Sequence, residues 1–191
     1  DGALGSSYFY AGESKGSFDA MYDAAMEDSF AAVSGCHTLA AIGDIQKCFE
    51  KVPHGKLLAL ARRANFPTRI LGVCIAMYQC MRCVQVHDAT SVAVVTNCGV
   101  AAGCTMATYL IRAYLMTEFD AFKYEYMGLS ALYAIRLSVY VDDLLIQVMG
   151  IDLVRTGLKL AELASTLFFG VLEGVLELPM APDKLFLVGS S

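Results

Sequence analysis

Two adjacent carboxylates interrupt an apolar stretch of the chain, and they have the clearest chemical meaning in the sequence. Asp142 and Asp143 lie within SVYVDDLLIQV, a segment otherwise apolar enough to form a central strand. Aspartate is disfavoured in such a strand, and two carboxylates in a low dielectric repel each other unless a cation lies beside them. Ligands that are all oxygen favour Mg²⁺ or Mn²⁺. The pair therefore predicts a divalent metal site, with an exposed hairpin turn as the alternative.

A third acidic residue follows another apolar run. Asp44 comes directly after LAAIG, at the end of a strand predicted over residues 38–44. Taken alone, an aspartate in this place is most often a helix cap or a loop residue. If this strand neighbours the one that carries Asp142, the two carboxylates share one metal ion or a pair of ions. Two ions roughly 3.5–4 Å apart promote in-line displacement at phosphorus, so the acidic residues together indicate phosphoryl transfer.

The elements that must position these residues are helices mixed with hairpin-like groups of strands. Alternation along AIRLSVYV puts Arg136, Ser138 and Tyr140 on the strand face that ends at Asp142. This order of elements predicts an α+β fold, an antiparallel sheet with helices packed on one face. Helices are predicted over 17–33 with Ser17 as the cap, between Pro53 and Pro67, and over 68–78, 104–119 and 152–169, and strands over 38–44, 83–87, 91–96 and both sides of the aspartate pair.

Four short segments, in this order, resemble the motifs of one enzyme family. The sequence DIQKCFEKVPH at 44–54 resembles motif A of reverse transcriptases, particularly of the non-LTR retrotransposon branch. GVAAG at 99–103, followed by an apolar helix, resembles motif B, and YVDD at 140–143 resembles motif C. PDK at 182–184 resembles the lysine-bearing motif D. Four motifs in the family's order are far more specific than any single one of them.

The resemblance implies a polymerase palm and its reaction. Residues 38–191 would form the palm, an antiparallel sheet with helices on one face, and residues 1–37 a partial helical segment of the fingers side. The thumb and most of the fingers would be absent, because Lys15 alone supplies a basic side chain before Lys47 and the chain ends shortly after Lys184. The implied activity is RNA-templated DNA synthesis from deoxynucleoside triphosphates, with an RNA template and a DNA primer as partners.

The resemblance also assigns roles to the acidic residues. Asp44 and Asp142 would be the main ligands of two Mg²⁺ or Mn²⁺ ions, Asp143 a weaker third carboxylate, and the backbone carbonyl of Ile45 a further ligand. One ion lowers the pKa of the primer hydroxyl, and the other neutralises charge on the leaving pyrophosphate. Lys184 would lie near that pyrophosphate and donate a proton as it leaves.

Substrate selection is implied by Phe49 and by motif B. An aromatic residue at the position of Phe49 is the steric gate of reverse transcriptases against a ribose 2′-hydroxyl, while ordinary core packing is the alternative. Ala102 and Gly103 would contact template and nucleotide, but Ala101 and Ala102 stand where the family usually has Pro-Gln. That departure leaves a second hypothesis open, a catalytically inactive palm-like remnant with a structural or nucleic-acid-associated role.

Composition limits the other possibilities. With 191 residues, 57 % of them hydrophobic and 17 % charged, the chain has room for one domain with a substantial core, which excludes intrinsic disorder. A net charge of −5 excludes a self-sufficient nucleic-acid clamp and predicts weak binding by this chain alone. Seven cysteines in apolar segments favour reduced thiols and an intracellular compartment, without separating nucleus from cytoplasm.

Three weaker patterns remain. Residues 89–111 carry no charge and contain Gly99 and Gly103 at GxxxG spacing, but they divide naturally into strand, turn and helix, so we expect no membrane span. The match of residues 12–16 to the GxSxG pattern around Ser14 lacks the preceding strands that a hydrolase sheet needs. Cys80, Cys83 and His87 have the beginning of a zinc spacing, but buried reduced cysteines are favoured over a zinc site.

Overall fold

The computed structural model describes residues 7–11, 15–128, 130 and 132–190. Its residues fall into two compact units. The helical unit comprises Phe49–Thr117, and the sheet unit comprises the described residues up to Cys48 together with those from Glu118 onward. All four predicted metal ligands lie in the sheet unit, whereas Phe49, Ala102 and Gly103 lie in the helical unit.

The sheet unit contains a four-stranded sheet in the order β4-β5-β1-β6. Every neighbouring pair in it is antiparallel, as the sequence predicts. The central strand β1 ends at the acidic residue predicted to end it, Asp44. The strands are β1 His37–Asp44, β4 Tyr133–Tyr140, β5 Asp143–Gly150 and β6 Phe186–Ser190.

One face of this sheet is apolar and forms the core of the unit. Cross-strand partners share a face, so Leu137, Ile146 and Ala41 form one buried row across β4, β5 and β1. Helix α6, Leu153–Ser165, packs against β5 and β1 and continues as a π-helix over Thr166–Val175. The helical segment therefore extends beyond residue 169, where the sequence pattern ends.

Helix α1, Ser17–Val33, lies over the opposite, polar face of the sheet. Arg136 on β4 binds the carboxylates of Asp23 and Glu27, each at 2.7 Å, and the Gln147 side chain donates to Asp28 at 2.8 Å. The sheet thus has helical cover on both faces. The large apolar side chains of α1 are exposed and do not join the core, although their spacing is what predicts the helix: Phe18, Met21, Tyr22, Met26, Phe30 and Val33.

The start of α1 differs from the expected cap. The N-cap residue is Gly16, not Ser17, and the Asp19 carboxylate accepts a hydrogen bond from the Gly16 backbone N–H at 2.7 Å. The helix bounds are nevertheless the predicted ones. The Asp19 carboxylate, in the first turn, pairs with an amide that would otherwise be unpaired, and so takes the capping role expected of the Ser17 hydroxyl.

The helical unit contains three helices, a small hairpin and the first part of α5. Leu57, Leu71 and Tyr78 are among its fully buried side chains. Asn65, at φ 56°, and Pro67 separate α3 from α4, as predicted. The elements are α2 Cys48–Lys51, α3 His54–Arg63, α4 Thr68–Tyr78, β2 Gln85–Val86, β3 Ala89–Thr90 and α5 Ala107–Tyr126, the last ending in the sheet unit.

Of the two strands predicted in this unit, one is shorter than expected and the other is absent from the predicted range. The expected strands over 83–87 and 91–96 reduce to a two-stranded hairpin, β2 and β3, and residues 91–96 lie outside it apart from one bridge between Arg82 and Val94. Val92, Val94 and Val95 are exposed. Their β-propensity therefore has no packing surface to act on, and propensity alone does not extend a strand.

The weaker sequence patterns have different outcomes. Among the described residues, no helix combines the length and apolarity that crossing a bilayer requires. Ser14 lies outside the described residues. None of the seven cysteines, all of which lie in the described part of the chain, forms a disulfide. Cys48 and Cys74 are buried, but Cys80 and Cys83 are exposed, so the expectation that this pair is buried fails. No zinc-like group of Cys80, Cys83 and His87 forms within the described residues.

Candidate metal centre

Strand pairing brings the three predicted carboxylates together. β1 and β5 run antiparallel in a register that places Asp44 directly opposite Asp143. Asp142 precedes β5 in the turn of the β4–β5 hairpin. One oxygen from each of Asp44, Asp142 and Asp143 can be chosen so that all three lie within 4.8 Å of one another. The two acidic sites of the sequence therefore form one cluster at the end of the sheet.

The turn that carries Asp142 is tight and strained. Tyr140 pairs with Asp143, so Val141 and Asp142 are its two central residues. Val141 has φ 59°, a left-handed conformation that a β-branched residue rarely adopts. The hairpin turn expected as the alternative is thus present at Asp142, which also lies in an acidic cluster, and the metal site itself stays a prediction.

Backbone hydrogen bonds fix the position of this cluster. The Ile45 N–H donates to the Asp142 carbonyl at 3.1 Å, which ties the end of β1 to the turn. On its other side the segment after Asp44 is held by residues before motif D. Ala181 N–H donates to the Asp44 carbonyl at 2.9 Å, and Gln46 N–H donates to the Pro179 carbonyl at 2.8 Å. Motif A is therefore joined through main-chain contacts to motif C and to the residues directly before motif D.

Lys184 reaches the cluster from a short 3₁₀ helix, Pro182–Lys184. Its Nζ donates to Oδ2 of Asp44 at 2.9 Å. The Lys184 side chain is 58 % exposed and that of Asp44 is 15 % exposed, so the lysine approaches the carboxylate from solvent. The contact brings the lysine of motif D to the first aspartate of motif A.

Burial and mutual repulsion make the charged forms of these carboxylates less favourable. Burial, followed by repulsion from Asp143 and Asp44, raises the pKa of Asp142. Burial and the neighbouring Asp44 likewise raise the pKa of Asp143, although Lys184 opposes the shift. The hydrogen bond to Asp44 raises the pKa of Lys184 and so keeps this lysine protonated. One ammonium group does not neutralise three carboxylates.

Comparison with known proteins agrees with this arrangement. A model of the family described as "Reverse transcriptase (RNA-dependent DNA polymerase)" matches residues 14–167, most of the chain. The chain belongs to the reverse transcriptase family. Among curated proteins no significant sequence match is found.

Solved structures share the fold at low sequence identity. Apo telomerase from Candida tropicalis, truncated from its C-terminal domain, has a TM-score of 0.64 and 13% identity over 92% of this chain and 36% of its own. Telomerase from Candida albicans, in complex with the TWJ fragment of telomeric RNA, has a TM-score of 0.65 and 12% identity over 95% of this chain and 32% of its own. The chain thus spans about a third of the length of these structures.

The donor set fits the divalent ions that the reverse transcriptase family uses. Asp44, Asp142 and Asp143 supply only carboxylate oxygens, which hard cations such as Mg²⁺ and Mn²⁺ prefer. Burial and the neighbouring carboxylates raise the pKa values of Asp142 and Asp143, and a bound cation would oppose both shifts. Within the described residues it is also the only group of three or more potential ligands close enough to share an ion.

The predicted substrate residues are placed in the helical unit. Phe49 is half-buried in α2, and Ala102 and Gly103 are exposed in the loop before α5. Backbone contacts join their two segments, since Val100 N–H donates to the Phe49 carbonyl at 2.6 Å. Sequence reasoning did not foresee this pairing of motif A with motif B. Its one local signal is Gly99, which adopts φ 94°, a conformation suited to glycine.

Proposed function

We propose that this chain is the palm of a reverse transcriptase that synthesises DNA on an RNA template with two divalent metal ions. Residues from 38 onward form the palm, and the helix before them belongs to the fingers side. The observation that carries the proposal is the convergence of three carboxylates and Lys184 at the end of an antiparallel sheet, in a chain of the reverse transcriptase family. The non-LTR branch is the part of the family that motif A resembles most.

Asp44 and Asp142 would hold Mg²⁺ or Mn²⁺, with Asp143 as a third carboxylate and the Ile45 carbonyl as a further ligand. When bound, such ions supply a nucleophilic primer hydroxyl and neutralise charge on the departing pyrophosphate. The side chains position these ions because β1 and the β4–β5 hairpin hold them in fixed register. Ionised carboxylates are required, and a cation restores the ionisation that burial opposes at Asp142 and Asp143.

Lys184 would act at the leaving group. Its ammonium is protonated and solvent-exposed beside Asp44, where it can approach the pyrophosphate and donate a proton. Phe49 would exclude the ribose 2′-hydroxyl and so select deoxynucleoside triphosphates. Ala102 and Gly103 would let template and nucleotide approach the backbone closely. An RNA template is further supported by the structural relatives, one of which was solved with a fragment of telomeric RNA.

The second candidate function is a catalytically inactive palm that retains a structural or nucleic-acid-associated role. The observation in its favour is the pair Ala101-Ala102, which provides no side-chain polar group where the family usually has Pro-Gln. The carboxylate cluster argues against it, because maintaining three mutually repelling carboxylates destabilises the fold without a cation to bind.

Primer extension by the intact parent protein distinguishes the two functions. With Mg²⁺ or Mn²⁺ and an RNA template, we expect the wild type to extend a DNA primer. Asp142→Asn should lower the rate by roughly 10²-fold or more, because it removes a ligand of the reacting ions. Asp88→Asn, at an exposed turn in the helical unit, is the matched control and should leave the rate unchanged. No extension by the wild type with either ion would favour the inactive palm.

A further inference from the structure

His54 is a buried polar residue for which the proposed reaction has no role. It is the first residue of α3 and is only 2 % exposed. Its Nε2 lies 2.7 Å from the carbonyl oxygen of Gly99, whereas its Nδ1 has no hydrogen-bond partner among the described residues. A carbonyl oxygen can only accept, so Nε2 carries the proton in this contact. The imidazole therefore makes its hydrogen bond through Nε2, to the first glycine of motif B.

The contact belongs to a dense connection between the end of motif A and the start of motif B. Gly99 N–H donates to the Val52 carbonyl at 2.8 Å, and His54 N–H donates to the Asn97 carbonyl at 2.9 Å. Val100 N–H donates to the carbonyl of Phe49, the proposed gate residue, at 2.6 Å. These three bonds are made by the backbone. The contact of His54 Nε2 with the Gly99 carbonyl adds a side-chain bond to the same connection.

Gly99 needs such a partner because its backbone is unusual. Its φ of 94° is accessible mainly to glycine, and a Cβ at this position would lie 3.3 Å from the Glu50 carbonyl oxygen. The motif B loop therefore approaches motif A as closely as a glycine permits. A flexible residue held in this conformation loses backbone entropy, and a side-chain donor fixed at a helix start can offset that loss. The Tyr78 ring, 6.2 Å from the imidazole between centroids, helps to fix the donor.

We propose that His54 is a positioning residue that holds the motif B loop in register with the segment that carries Phe49. This contact keeps Phe49, the proposed substrate gate, in a fixed position relative to the motif B loop at 99–103. The inference rests on the proposed function for its catalytic consequence. Its structural part, that the imidazole holds Gly99 and Val100 in place, can be measured without any polymerase reaction.

The kinetic test compares two substitutions in the intact parent protein. His54→Leu introduces an apolar side chain of similar size and removes the hydrogen-bond donor. His54→Gln supplies an amide N–H donor close to the position of Nε2. For His54→Leu we expect KM for the deoxynucleotide to rise roughly tenfold with kcat within about threefold, since the loop still forms but is less ordered. His54→Gln should restore KM to within about threefold of the wild type. His37→Leu, at the start of β1, is the control and should leave both constants unchanged.

The second test reads the loop directly by amide hydrogen exchange. Gly99 and Val100 amides should exchange at least roughly tenfold faster in His54→Leu than in the wild type, and at wild-type rates in His54→Gln. Equal impairment of both variants, or unchanged exchange in His54→Leu, would overturn the proposal. If the wild type extends no primer, the proposed function fails together with the catalytic consequence, while the exchange measurement still decides whether His54 holds the loop.

Discussion

Asp142 shows, at the scale of a single residue, how a proposed active site opposes stability. Burial and its acidic neighbours raise its pKa, so its ionised form is less favourable in the folded protein than in the unfolded chain. A group of this kind contributes its full stabilisation below its unfolded pKa, about 4, and that stabilisation is lost as pH rises through the folded pKa. Metal-free protein therefore carries more of the penalty of this charge at neutral pH than at acidic pH.

This penalty predicts that removing the charge stabilises the metal-free protein while it abolishes extension. Asp142→Asn should raise the melting temperature in EDTA at pH 7 by about 2–4 °C, and by less at pH 4, where a larger fraction of the wild-type carboxyl is protonated in the folded state because its pKa is raised. Differential scanning calorimetry at both pH values measures the shift. Asp88→Asn is expected to show no such gain, and an equal gain for Asp142→Asn at the two pH values would contradict the interpretation.

Cys104, in the motif B loop, has an environment that favours its thiolate. The neighbouring Tyr78 hydroxyl and then the backbone N–H groups of Met106 and Ala107 lower the pKa of its thiol. The Tyr78 hydroxyl is buried without a standard hydrogen bond among the described residues, and burial raises its own pKa, so it stays a donor. The thiolate is the reactive form of cysteine.

Alkylation of this thiol should therefore occur at lower pH than that of an ordinary cysteine. Iodoacetamide labelling of Cys104 can be followed by peptide mass spectrometry. We expect its rate to reach half its maximum below about pH 8.5, the ordinary pKa of a free thiol. Tyr78→Phe should move the midpoint upward. The exposed Cys80 and Cys83 serve as internal references, and a Cys104 profile identical to theirs would refute the prediction.

At the scale of elements, α1 is attached to the sheet by charges more than by its apolar stripe. Arg136 is 17 % exposed in its side chain and bonds to Asp23, Glu27 and the Tyr10 hydroxyl, each at 2.7 Å. Burial raises the pKa of Glu27 even though Arg136 opposes the shift, so the arginine holds an anion that burial disfavours. Removing the cation would leave these acidic side chains without compensation.

Arg136→Met should consequently loosen α1 rather than the whole sheet. We expect the free energy of unfolding to fall by about 1–3 kcal/mol. This is less than the cost of breaking a fully buried ion pair, because the acidic partners are partly exposed. Hydrogen exchange should accelerate in α1 and stay unchanged in α6. Lys159→Met, which removes the surface contact of Lys159 with Glu162 at 3.0 Å, is the matched control and should cost less than about 0.5 kcal/mol. Uniform acceleration across both helices would show that Arg136 supports the entire core instead.

The elements also show why sequence reasoning succeeded in some places and failed in others. β1 ends at Asp44 and α4 has its predicted bounds, because turn residues and periodic apolar residues define both ends locally. The meeting of Asp44 with Asp142 required knowledge of strand neighbours, which the motif order supplied and local patterns did not. Residues 91–96 were misjudged because strand formation there depends on which surface is available to pack against, a property of tertiary structure.

At the scale of the whole molecule, the negative net charge opposes binding of the proposed nucleic-acid partner, and divalent cations bound by the carboxylates would reduce this repulsion. The chain carries a formal net charge of −5, and three of its acidic side chains form the cluster that template and primer would approach in the proposed reaction. Nucleic-acid affinity depends mainly on neutralising phosphates, and this chain spans only about a third of the structures that it resembles. Bound divalent ions would reverse the sign of the local field at that cluster.

This reversal predicts that the chain binds nucleic acid weakly and that divalent cations, but not monovalent salt, strengthen the binding. We expect the chain to bind an RNA–DNA primer–template duplex with a Kd weaker than about 10⁻⁵ M at physiological salt without divalent ions, in the range of nonspecific contacts. Mg²⁺ should strengthen binding, whereas NaCl of equal ionic strength should weaken it, as measured by fluorescence anisotropy. In Asp142→Asn the Mg²⁺ effect should shrink, because a ligand is lost, although the variant is less negative. Tight binding in the absence of divalent ions, or a Mg²⁺ response unaltered in Asp142→Asn, would show that the chain grips nucleic acid through a surface other than the carboxylate cluster.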